Sequence, residues 1–181
     1  MKRIITVIIS ILIIQVASAQ IRSVGILAGG GGTLVDVEKV LEPYELSEWD
    51  TWSMVFKAFA EYSLGENSAI GLELGSNRLY YWEYKAPGYS YYNWRTEWTK
   101  NAVLYYITSI GEKLYIQSGI GVHVFNDGTV AGLMAGFGTL FPAGEKFTIP
   151  LFLRVEPVFG SGTPVAVNIG TGLKINLKKK E

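Results

Sequence analysis

Apolar residues fall on every second position of KFTIPLFLRVEPVF (146–159): Phe147, Ile149, Leu151, Leu153 and Val155 share one parity, and Arg154 and Glu156 take the other. A period of two is the mark of a β-strand with two unlike faces. The pattern recurs in eight segments, 22–29, 52–63, 69–81, 95–109, 114–125, 130–140, 147–158 and 165–177. One face of each is apolar, as in Met54, Phe56, Ala58, Ala60 of the second and Ile70, Leu72, Leu74 of the third. No helix-period pattern of useful length interrupts them.

The connections test the pairing, because hairpin length decides which parities share a face. NDGT, with Asp127-Gly128 as a two-residue loop, predicts Val124 opposite Ala131. IGEK, with Gly111-Glu112 as a type II′ turn, predicts Ile107 opposite Ile116 and Val103 opposite Ile120. LGENS as a three-residue loop sets Tyr62 against Ile70, and FGSGTPV sets Val155 against Ile169. Apolar meets apolar each time, which predicts an up-and-down meander. Connections 30–51 and 82–94 are long, while those containing Gly-Glu are short, the two-ended layout of an outer-membrane barrel.

Periodicity alone does not say which face meets water. The polar face carries mainly Lys57, Glu61, Glu73, Lys100, Arg154, Glu156 and Lys174 over eight strands, too few for a soluble surface, which is roughly 25–35% charged. It is rich in glycine instead, alternating with large residues such as Phe59, Tyr106 and Met134, as suits a narrow filled interior. The apolar face of the second segment runs from Trp52 to Tyr62, a rise of about 33 Å, which a tilt of about 40° projects to about 25 Å, the height of a membrane band. The apolar face is therefore predicted to meet lipid and the charged face to line the interior. There Lys57 lies diagonal to Glu73, Lys100 opposite His123, and Glu156 opposite Asn168. Pro150 and Pro157 cannot donate to a ladder, so bulges or strand ends are expected beside them.

Composition narrows the setting. Residues 1–19, a basic start, an apolar run and ASA before Gln20, read as a secretory signal peptide, leaving 20–181 as one barrel domain. The leader holds Lys2, Arg3 and no acid, so 16 less 2 leaves 14 basic against 16 acidic residues, a balance that offers nothing to a nucleic acid. There is no cysteine, hence no disulfide, thiolate metal site or lipidated thiol.

These features together, over residues 21–177, resemble the small eight-stranded outer-membrane barrels of the OmpA/OmpX type. The resemblance implies an all-β, eight-stranded antiparallel up-and-down transmembrane β-barrel in the cell outer membrane. The last strand ends on Leu177, where such barrels often carry an aromatic residue.

The site residues follow from this reading. Lys57, Glu61, Glu73, Lys100, His123, Arg154, Glu156 and Lys174 are expected to form an interior polar network. YYWEYKAPGYSYYNWRTEW (80–98) holds nine aromatics, and Trp82, Tyr84, Tyr89, Tyr91, Trp94 and Arg95 are expected to present a recognition surface on a protruding hairpin. Tyr80, Tyr81 and Trp98 read as membrane girdle. His123 is the only histidine, which leaves a histidine-based metal site without its ligands, and a catalytic set needs Ser118 or another serine to reach it. AGGGG (28–32) lacks the Gly-Lys-Ser/Thr of a phosphate loop. The expected role is a non-enzymatic, monomeric surface barrel with no cofactor, contributing to envelope integrity and/or surface recognition. Its expected partners are outer-membrane lipid and an extracellular protein, glycan or lipopolysaccharide ligand. A narrow porin-like pore, an outer-membrane lipid-modifying enzyme and a soluble periplasmic ligand-binding barrel are the alternatives.

Overall fold

The computed structural model describes residues 21–34, 52–84, 92–126, 128–159 and 164–177, with the backbone alone over 81–84 and 92–95. Residues 1–19, expected to be a signal peptide, and most of the 30–51 connection lie outside these residues. The described residues form eight strands: β1 (Ile21–Leu34), β2 (Trp52–Ser63), β3 (Ser68–Tyr84), β4 (Tyr92–Ile110), β5 (Leu114–Phe125), β6 (Gly128–Pro142), β7 (Phe147–Pro157) and β8 (Val165–Asn176). Each pairs antiparallel with its sequence neighbours, and β1 closes on β8 into a barrel.

Alternation along the strands sorts the side chains. Phe56, Leu74 and Ile120 face outward and are more than half exposed, while Val55, Glu73 and Phe152 face inward and are buried. The interior is filled by pairing large side chains with glycine. Gly71 lies directly under the ring of Tyr105, leaving no space there for a Cβ.

The strands outrun their expected limits. β1 continues through Gly30–Gly32, paired with Met54, Ser53 and Trp52, so the glycine run expected to begin a loop is strand. β3 and β4 pair from Ser68↔Thr108 up to Tyr84↔Tyr92. Within the described residues the ladder to β2 stops at Met54↔Arg78, and that to β5 at Lys100↔Val124. Leu79 and Tyr80 are still buried against the barrel, Tyr80 on the inner side and not in the expected girdle, and the pairs from Tyr81↔Arg95 to Tyr84↔Tyr92 carry the ladder about 13 Å further as a two-stranded ribbon. Its base is tied to β1 by the Tyr80 backbone N–H, which donates to Thr33 Oγ1 at 3.4 Å.

Three registers depart from expectation. The β5–β6 turn sets Val124 opposite Thr129, and the β7–β8 connection sets Val155 opposite Val167, both slips of two residues that leave every face unchanged. The β4–β5 turn differs by one. Ile110 lies opposite Leu114, so Gly111, Glu112 and Lys113 form a three-residue connection with Gly111 at φ 68°. A slip of one turns the strand over. Val103, Tyr105 and Ile107 therefore face inward, while Leu104 and Tyr106 face lipid. Tyr106 is corrected from filler of the interior to the outer face.

The prolines are accommodated as their chemistry requires. Pro157 ends β7. At Pro150 the β7–β8 ladder pairs Thr148↔Lys174 and resumes at Leu151↔Thr171, and the Thr171 hydroxyl donates to the Pro150 carbonyl at 2.9 Å.

Candidate functional site: the ionic interior and the outer rim

Two clusters of charge occupy the lumen. At mid-barrel, Arg154 on β7 meets Glu73 on β3 in a bidentate pair, Nη1 to Oε2 at 2.8 Å and Nη2 to Oε1 at 2.6 Å. This planar two-bond geometry is the strongest form of the contact. The Arg154 guanidinium also lies 4.7 Å from the centroid of the Phe152 ring, and its Nη2 donates to Gln117 Oε1 at 3.3 Å. Lys57 on β2 joins this pair to a second acid: its Nζ lies 3.4 Å from Glu73 and donates to Glu156 Oε1 at 2.6 Å. Asn77 Nδ2 supplies the other Glu156 oxygen at 2.8 Å.

Nearer the short-turn end, Glu61 on β2 gathers three donors. They are Lys174 Nζ from β8, Ser23 Oγ from β1 at 2.8 Å, and Tyr105 Oη from β4 at 3.3 Å. Together the clusters take side chains from β1, β2, β3, β4, β5, β7 and β8. Their charged members, Lys57, Arg154, Lys174, Glu61, Glu73 and Glu156, are all buried, three cations against three anions. Isolated buried charges cost several kcal/mol each, so this balance lets them sit in the lumen. Between the clusters, a cavity of about 20 Å³ bounded by Tyr105, Tyr115 and Pro150 has room for about one water.

Lys100 is not part of this network. The one-residue slip at Gly111 turns it outward, where it is exposed beside Val124, and Asn101 takes its expected place opposite His123. The physical reason is cost: a fourth cation inside has no acid to pair with, whereas an outward lysine at a barrel rim lifts its ammonium into the headgroups. His123 is buried, with Nδ1 bonded to no described residue. Ser118 is exposed on the opposite face of β5, so it does not meet His123. Asn168 lies opposite Arg154 and not Glu156. Sequence reasoning missed Gln117, Asn77, Ser23 and Tyr105. The first three were legible as polar residues of inward parity; Tyr105 was hidden by the phase error in β4.

Of the expected recognition residues, Trp82 and Tyr84 lie on β3 and Trp94 and Arg95 on β4. Trp82 stands opposite Trp94, Tyr81 opposite Arg95 and Tyr84 opposite Tyr92. Tyr89 and Tyr91 lie outside the described residues. At the base of the ribbon, Phe56 and Trp98 stack on the outer face with centroids 5.9 Å apart, and Trp52 is exposed nearby on β2.

An apolar outer wall, a charged filled lumen and eight closed antiparallel strands define a transmembrane β-barrel, with the architecture of the small outer-membrane barrels. The solved structure of one such protein shares it, and that of a second was also matched. Neisserial surface protein A (NspA) is 12% identical, aligned over 88% of this chain and 99% of that one, with a TM-score of 0.53. The attachment invasion locus protein Ail of Yersinia pestis, in complex with the heparin analogue sucrose octasulfate, is 14% identical over 86% of this chain and 100% of that one, with a TM-score of 0.41. At 12% identity the likeness to NspA is one of fold. Neither a protein-family model nor a curated protein sequence matches the chain.

Proposed function

We propose that this protein is a non-enzymatic barrel of the cell outer membrane, exported by a cleaved leader spanning residues 1–19. Its interior is a structural plug and no conduit, and its β3–β4 ribbon carries recognition of an outside protein or glycan. The observation that supports the reading is the lumen, where buried ion pairs link β2, β3, β7 and β8 across the space a permeating ion needs. Eight strands leave room for side chains alone, and charges that satisfy one another bind the wall together without offering a path.

The ribbon supports the second half. The backbone register sets Trp82 opposite Trp94 and Tyr84 opposite Tyr92, so aromatic residues pair along the ladder of the ribbon. Large aromatic residues exposed beyond the membrane band favour contact with a partner, and Tyr and Trp offer rigid contact area at small entropic cost.

Planar-bilayer recording of the refolded protein tests the plug. No steady conductance is expected, and large long-lived channels would overturn the reading. Replacing Trp82, Tyr84, Tyr89, Tyr91 and Trp94 with Ser tests the ribbon. The variant is expected to insert normally and show the wild-type heat shift on gels while losing binding to cells or extracellular matrix. Failed insertion would make these aromatics structural.

A further inference from the structure

We propose that the outer wall carries a binding site for a lipid of net anionic phosphate charge, of the lipid A class, with the phosphate held by Lys100 and Arg78 and an acyl chain in the groove beside Phe56. The site rests on no property of the ribbon tip or the lumen.

Charge on the outer wall is the first observation. Among the described strand residues of outward parity, three are cationic and none is acidic. Arg22 stands at the short-turn end. Arg78 and Lys100 stand at the other end on adjacent strands, one diagonal step apart, because Arg78 pairs with Trp98 and Lys100 follows two residues later. Diagonal neighbours across an antiparallel ladder lie about 7–8 Å apart, close enough for two long cationic side chains to grip one phosphate.

Level is the second observation. Lys100 pairs with Val124, the last outward residue of β5, and Arg78 Nη1 donates to the carbonyl of Trp52 on β2 at 2.7 Å. Trp52 and Trp98 are half exposed around them. Indole rings beside lysine and arginine at the rim of an apolar band mark the depth of the headgroups.

The groove is the third. About 540 Å³ of open space runs along the outer face of β8, β1 and β2, walled by Ile26, Phe56 and Leu173 and floored by Ala28, Ala58 and Thr171. Small residues between large ones recess the wall. Phe56 closes the groove toward Trp98, on which it stacks. In the ladder Phe56 pairs with Ser76, and Ser76 with Lys100, so the cation lies two strands, about 10 Å, from the groove wall. That is within the span of one lipid. A lysine that merely reaches for the headgroup layer needs neither a second cation beside it nor a recess below.

The test uses the full-length barrel reconstituted in phosphatidylcholine nanodiscs containing a minor fraction of lipid A, with retained lipid read by native mass spectrometry. Wild type is expected to hold one lipid A in preference to phosphatidylcholine. Lys100→Gln is expected to weaken retention about tenfold, as loss of a charge-assisted contact does. Ala28→Leu with Ala58→Leu, which fills the recess and keeps both cations, is expected to weaken it as well. Both variants should keep the wild-type heat shift. Equal retention of the two lipids by wild type would overturn the site. So would undiminished lipid A on Lys100→Gln, or on the groove-filled variant.

Discussion

At mid-barrel, Glu73 receives both terminal nitrogens of Arg154 and shares Lys57 with Glu156. Nearer the short turns, Glu61 receives one lysine and two hydroxyls. The residue types are nearly the same, yet the two clusters put different energies at stake. Removing one partner from a buried pair costs more than the pair is worth, because the survivor is left charged and dry. Glu73 has Lys57 as its other ionic partner, and that lysine is already committed to Glu156. Glu61 keeps two neutral donors whatever happens to Lys174. Coupling between charges, more than their number, sets how much the barrel loses when one goes.

The sharpest way to break this contrast is Arg154→Leu, which is expected to lower stability by about 3–5 kcal/mol, read as urea unfolding of the barrel refolded in lipid vesicles. Adding Glu73→Leu removes the stranded acid and should recover part of that loss. A double variant no better than the single would mean that the loss comes from packing against Phe152 and not from charge. Next in size is Gly71→Val, which drives a branched side chain into the Tyr105 ring and should cost about 1–3 kcal/mol by overpacking. It also moves the Tyr105 hydroxyl off Glu61, so its effect should shrink when combined with Tyr105→Ala. Lys174→Gln keeps a donor near Glu61 and should cost about 1 kcal/mol, well below Arg154→Leu. A cost equal to that of Arg154→Leu would erase the distinction between the clusters. Smallest is Lys100→Leu, expected to leave the unfolding midpoint unmoved because the residue stands outside both clusters. A large destabilisation would place the lysine back in the lumen.

How far the sequence could be read depended on whether a strand's two parities differed in chemistry. β7 was legible because Arg154 and Glu156 sit on one parity while Leu151, Leu153 and Val155 hold the other. β4 carries AVLYYI at 102–107, apolar on both parities, so its pattern has no phase and the turn was left to decide. A two-residue reading of Gly111-Glu112 chose the wrong face and took Lys100 inside and Tyr105 out with it. Slips of two at the β5–β6 and β7–β8 connections did no such harm, since they preserve parity. The identities of the interior charges, Lys100 aside, were legible from alternation. Most of their partners were not. Lys57 and Glu156 are 99 residues apart and touch across the lumen, a contact set by strand tilt and closure that no local pattern encodes.

That separation also bears on how the barrel is expected to assemble. Lys57–Glu156, Lys174–Glu61 and Arg154–Glu73 span 99, 113 and 81 residues, so each forms only after most of the wall is in place. Long-range contacts pay their loop-closure entropy before they return anything. The three cross-lumen pairs are therefore expected late in assembly, once β7 and β8 stand across from β2 and β3. They act as a latch, holding the closed wall shut while contributing little to the speed at which the wall closes.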